Sequence, residues 1–146
     1  MQKYYYPYSQ FITDVDLLSN QLQNLKIDAI VAVARGGVTL GHFLANKLNN
    51  RNLLTINSIG YEDSQQLQSV EIFNIPDLKD FSSILLVDDI IDSGDTIHEI
   101  IKTLQNKFPQ LKIKIVSIFY KKTAIIQPDF SCNETMDWID FFWEVD

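Results

Sequence analysis

The sequence is poor in the residues that mark a metal cluster, a nucleic-acid surface or a membrane anchor. Its one cysteine, Cys132, permits no internal disulfide and no cysteine metal cluster, and reads as a structural thiol. Its two histidines, His42 and His98, have no second histidine or cysteine at ligand spacing, so both read as structural or surface residues. Twelve Lys and Arg face nineteen Asp and Glu, a net charge of -7 with a pI near 4.7. Nucleic-acid and acidic-membrane binding need a basic patch, so both are excluded, and any anionic ligand must be held locally. Apolar runs such as Ile84 to Val87 are far too short to span a bilayer, and no basic region followed by an apolar segment opens the chain. The expected location is therefore cytoplasmic, with no integral membrane segment.

What is present suits one domain over 1–146, since 46% hydrophobic residues in 146 supply a sizeable core and no linker or internal repeat divides them. Met1 to Tyr8 reads as an extended lead-in whose tyrosines pack on the body or on a neighbouring subunit. A helix begins at Ser9, its N-cap, and recurs through Phe11, Val15, Leu18, Leu22 and Leu25. Strands are expected at Ile27–Val33, Leu53–Ile59, Val70–Ile75, Ser82–Val87 and Leu111–Phe119. Helices intervene, one burying Val38, Leu40, Phe43, Leu44 and Leu48 with Gly41 at a close contact, another burying Ile97, Ile100, Ile101, Leu104 and Phe108 and stopping before Pro109. Such alternation requires parallel crossovers, hence an α/β fold: a mainly parallel open sheet with helices on both faces. Gly60 to Gln66 is polar and aperiodic and reads as a mobile loop.

The chemistry concentrates in Ile84 to Thr96, where four apolar residues are followed by Asp88 and Asp89, two aliphatics and the turn Asp92-Ser93-Gly94-Asp95-Thr96. A turn feeding a helix N-terminus offers unpaired amides and the positive end of the dipole, which together favour a phosphate. Gly94 lets the backbone approach, Ser93 and Thr96 add hydroxyls, and the carboxylate pair suits ribose hydroxyls or a hydrated magnesium ion. A second glycine turn, Ala34-Arg35-Gly36-Gly37, follows the first long strand and leaves the same carboxyl edge of the sheet, where ligands collect in open α/β folds.

These thirteen positions resemble the phosphoribosyl-pyrophosphate signature of the type I phosphoribosyltransferases, and Val31 to Gly41 is similar to that family's pyrophosphate loop. Within the family the chain looks most like the xanthine-guanine subgroup. The resemblance implies phosphoribosyl-pyrophosphate binding by Arg35, Gly36, Asp88, Asp89, Asp92, Ser93, Gly94, Asp95 and Thr96, with Asp89 toward a Mg²⁺ cofactor and Asp88, Asp89 and Asp92 as catalytic residues. It implies contact with a free purine base by Asp92, Lys121, Trp138 and Ile139, with 123–146 as a small C-terminal hood. Lys121 matches the family's base-reading lysine two residues after a strand phenylalanine, Phe119; Lys122 stands where the subgroup usually has proline, and takes the role if the turn differs. The implied activity is purine salvage: transfer of phosphoribose to N9 of a 6-oxopurine (guanine, xanthine or hypoxanthine) with release of pyrophosphate, by a homodimer or homotetramer. The chain departs from the pattern at Asp95, an extra acid near the phosphate, and at Gln66 and Leu67, where the subgroup's loop carries a basic residue. Two alternatives are a phosphoribosyl-pyrophosphate-sensing regulator of the same fold and a transferase for another base. The first lacks a helix-turn-helix segment or basic face here.

Overall fold

The computed structural model of the protein describes residues 2–62 and 68–145. Eleven elements occur among them: β1 (Lys3–Tyr6), α1 (Tyr8–Leu22), β2 (Ala29–Ala34), α2 (Val38–Lys47), β3 (Leu53–Glu62), β4 (Gln68–Phe73), β5 (Ser83–Ile91), α3 (Asp95–Lys107), β6 (Lys112–Tyr120), β7 (Asn133–Glu134) and β8 (Trp138–Phe141). Six strands form the main sheet in the order β4-β3-β2-β5-β6-β7, all parallel except the β3–β4 pair. The expected α/β architecture is thus present. Alternate residues of β2 and β5 feed opposite cores, which explains their unbroken apolar runs. Ile30, Leu85 and Val87 pack with α1 and α2. Val31, Ile84 and Leu86 pack with α3.

Several local expectations shift. The Tyr-rich lead-in is a strand, β1, which pairs in parallel with β8, so the small second sheet is built from both ends of the chain. Tyr6 is its buried anchor: its hydroxyl donates to Asp14 Oδ2 at 2.7 Å, and Asn133 Nδ2 donates to the same oxygen at 3.0 Å. Helix α1 starts at Tyr8 after Pro7, not at a Ser9 cap, because proline's fixed φ and missing N–H suit the entry; Leu25 falls beyond its end. Val38 is exposed. Gly41 is a close contact as expected, since a Cβ there would lie 2.8 Å from that of Ala32. Gly60 to Glu62 continue β3 into the antiparallel pairing with β4, while the rest of the expected loop, 63–67, lies outside the described residues. Burial and the nearby Asp14 charge push the Cys132 thiol up to about 12, so it stays protonated at neutral pH.

The opposite edge from the site is tied by Asp28, whose Oδ2 accepts the Ser82 and Ser83 amides at 2.7 and 3.0 Å. Those two bonds hold its pKa below the usual carboxylate value. A lowered folded-state pKa contributes stability above the unfolded value, and that contribution is lost as pH falls through the folded one. Asp28→Asn should therefore lower Tm by a few degrees at pH 7, with the gap to wild type closing below about pH 4. Thermal melts across that range check this; a gap independent of pH contradicts it.

Candidate active site

Parallel pairing of β2 with β5, from Ala29↔Ile84 to Ala32↔Val87, brings the two glycine-containing loops side by side at the carboxyl edge. Here the glycines are required by space. A Cβ on Gly37 would lie 2.4 Å from the Val87 carbonyl oxygen and 2.9 Å from Asp88 Cα, a backbone-on-backbone contact. A Cβ on Gly36 would meet the Asp89 carboxylate, 2.5 Å from Oδ2. The Ala34–Arg35 peptide between β2 and this turn is cis.

The two acids do not end the strand, as the sequence suggests, but lie within it, because β5 runs on to Ile91 beside β6. Asp88 Oδ1 accepts the Asp89 amide at 2.9 Å, and Asp89 Oδ1 accepts the Ile90 amide at 2.7 Å. Desolvation raises the pKa of both carboxyls, and for Asp88 the neighbouring Asp89 charge adds to it. The pair is thus a poorly neutralised concentration of negative charge, suited to a cationic or hydroxyl-bearing partner.

Past Ile91 the chain enters the turn Asp92 to Thr96, expected to cradle a phosphate at the start of α3. Gly94 holds φ +88° and caps α3, a conformation that side-chain-bearing residues rarely adopt. The loop after β6 braces it: Lys121 N–H donates to the Ile91 carbonyl at 2.9 Å and Ile125 N–H to that of Ser93 at 2.8 Å. Ser93 Oγ accepts the Asp95 amide at 3.2 Å. Asp95 opens α3, where its charge complements the dipole, a physical use for the extra acid. The same brace delivers Lys121, whose Nζ lies 2.8 Å from Asp92 Oδ1; this ammonium is largely buried while Asp92 remains exposed. Lys122 is exposed.

A cavity of about 770 Å³ lies at this edge, lined by Val33, Ala34, Arg35, Gly36, Thr39, Ser58, Asp88, Asp89, Thr96, Trp143, Glu144 and Val145. Of the residues expected in the site, Arg35, Gly36, Asp88, Asp89 and Thr96 share this cavity. Asp92, Ser93, Gly94 and Asp95 continue from it through the cradle, and Asp92 meets Lys121. Trp138 is exposed on β8, whereas the Ile139 side chain enters the core with Tyr6 and Phe119, leaving its backbone for any contact with a base. Thr39, Ser58 and, within the expected 123–146 hood, the individual residues 143–145 were not named as site residues. Thr39 had one signal, its place in the first helical turn after the glycine pair; Ser58 and Glu144 had none beyond their chemistry.

Magnesium fits this donor set. No group of three or more Asp, Glu, His or Cys among the described residues can enclose a metal, but an ion that keeps its waters and binds phosphate oxygens needs only one or two carboxylates, which Asp88 and Asp89 provide. No helix among the described residues is long and apolar enough to cross a membrane.

A helix-capping turn, a carboxylate pair and a second glycine turn meet at one sheet edge, and the chain belongs to the phosphoribosyl transferase domain family, whose model matches residues 2–146. Among solved structures it resembles the Helicobacter pylori xanthine-guanine-hypoxanthine phosphoribosyltransferase, at 38% identity and TM-score 0.89 over 99% of this chain and 95% of that one. A purine phosphoribosyltransferase from Pyrococcus horikoshii Ot3 is 31% identical, with TM-score 0.87 over 100% and 96% of the two chains. The xanthine-guanine phosphoribosyltransferase of Ruegeria sp. is 32% identical over 126 residues, 80% of this chain and 68% of that protein.

Proposed function

We propose that the protein is a purine-salvage phosphoribosyltransferase that transfers phosphoribose from phosphoribosyl pyrophosphate to N9 of a 6-oxopurine and releases pyrophosphate. The observation that carries this reading is the Lys121–Asp92 pair, 2.8 Å apart, set beside the phosphate cradle by the brace from Lys121 to Ile91. A donor and an acceptor side by side next to the turn that opens α3 are what reading a 6-oxopurine requires, and this supports the reading.

In this reading Ser93, Gly94, Asp95 and Thr96 hold the 5′-phosphate at the start of α3. Asp88 and Asp89 hold the ribose hydroxyls, and Asp89 would help to hold a magnesium ion. Arg35 and the Gly36 amide take up charge on the departing diphosphate as the sugar becomes cation-like. A bound magnesium ion supplies further neutralisation of that leaving group. Asp92 accepts a hydrogen bond from the base and relays a proton as N9 attacks, while Lys121 faces the 6-position. Trp138 and the Ile139 backbone close the purine side, within a hood formed by 123–146. The active unit is a cytoplasmic homodimer or homotetramer.

A panel of free bases incubated with phosphoribosyl pyrophosphate and Mg²⁺, scored for pyrophosphate, tests this. Release is expected with at least one of guanine, xanthine and hypoxanthine, and excess chelator should abolish it. Binding of the activated sugar without release for any base contradicts the enzyme and supports a sensor.

A further inference from the structure

The tail brings an acid into the cavity that the reading above leaves without a role. Glu144 faces a space it shares with Asp88 and Asp89, and Arg35 is the one cationic side chain among the described lining residues. Desolvation, then the charges of Asp89 and Asp140, raise its pKa, against a smaller opposing effect of Lys3, which is itself paired with Asp140 at 3.7 Å. Its position is fixed by packing. Phe142 N–H donates to the Tyr6 carbonyl at 3.1 Å and Glu144 N–H to that of Phe141 at 3.0 Å. Trp143 stacks on Phe141 with centroids 4.7 Å apart and makes edge contacts with Tyr6, Phe11 and Phe142. A wall anchored this way is part of the site's architecture rather than a loose terminus.

A carboxylate that lines the same cavity as two others raises a question of sign, because in the reading above the ligand is a diphosphate. Three acids against one arginine repel a bare polyanion, whereas they accept the same diphosphate once its charge is offset by a divalent cation. We propose that Glu144 is a specificity-determining residue that makes the site select the metal-complexed diphosphate over the metal-free anion. The proposal rests on the assignment of this cavity to phosphoribosyl pyrophosphate. Glu144 needs no direct bond to the metal, since its charge acts across the cavity.

The test is calorimetric binding of inorganic pyrophosphate to the full chain, in Mg²⁺ and in excess chelator, for wild type, Glu144→Gln and Glu144→Ala. Wild type should bind the magnesium complex far more tightly than the free anion. Both variants should narrow that ratio about tenfold, of the order expected for removing one charge from a partly screened site. Asp80→Asn, which removes an exposed acid from the loop before β5, should leave the ratio unchanged. Substitution at 144 touches an exposed side chain, so the variants keep the wild-type Tm. A ratio equal to wild type in both 144 variants overturns the role of Glu144 while leaving the site assignment standing. Failure of wild-type protein to bind pyrophosphate in either buffer overturns the site assignment and this proposal with it.

Discussion

Asp89→Asn is expected to cut turnover by about 10²-fold or more while the variant melts no lower than wild type. The two effects separate because this carboxylate is a cost to the fold. Desolvation outweighs the hydrogen bonding from the Asp88 side chain and from the backbone and lifts its pKa, so its ionised form disfavours the folded state increasingly as pH rises through that lifted value. Removing the charge therefore relieves the fold, and on the proposed reading it also removes the group that would hold the ribose hydroxyls. Gly36→Ala approaches the same residue from the other loop. Its methyl group would meet the Asp89 carboxylate, 2.5 Å from Oδ2, so the acid must swing away or the turn must shift, with a loss of similar size. Steady-state assays with thermal melts of both variants make the comparison; turnover near wild type in Asp89→Asn would remove this residue from the site.

The fold was legible where one physical signal dominated. Buried parallel strands need apolar residues on both faces, so Ile84 to Val87 and Ile27 to Val33 announced the sheet centre, and helix α3 declared itself by its spacing and by Pro109. Boundaries were legible less well. Asp88 and Asp89 look like a strand end because charge is rare in a buried strand, yet β6 continues alongside and β5 keeps its pairing through them. The lead-in hid a strand because among the described residues β1 pairs with β8 alone, more than a hundred residues away, and no local pattern encodes that pairing. The same distance explains Glu144. A lone acid near the end of an acidic chain carries no signal, and it becomes a cavity residue only when the Tyr6 carbonyl and the aromatic cluster turn the tail back over Asp89. Glycines were the opposite case. Gly36 and Gly94 stand in turns that the sequence marks for close backbone approach, and the Asp89 carboxylate beside Gly36 and the φ of +88° at Gly94 give the reason for each.

Adenine should be rejected by about 10⁴-fold in kcat/KM relative to the best 6-oxopurine, and Lys121 should be the source of most of that difference. An ammonium can only donate hydrogen bonds, so it pairs with a carbonyl at purine position 6 and faces a second donor when an amino group stands there. The penalty is large because Lys121 is mostly buried, and a buried donor without an acceptor loses its hydration with nothing in return. Before a base arrives, Asp92 supplies the acceptor at 2.8 Å, which holds the ammonium at the edge of the cradle. The amide of Lys121 is fixed as well, donating to the Ile91 carbonyl at 2.9 Å, so its side chain leaves a backbone already tied to β5. Lys122 has an exposed side chain, and no ion pair joins it to a described residue of the cradle. Lys121→Ala should therefore lower 6-oxopurine turnover at least about tenfold and weaken the discrimination against adenine, with Lys122→Ala close to wild type. Kinetics of both variants on guanine, hypoxanthine, xanthine and adenine separate the two lysines. A larger loss in Lys122→Ala would move the base-reading role one residue along the chain, and equal use of adenine by the wild-type enzyme would remove the basis for a 6-oxopurine acceptor.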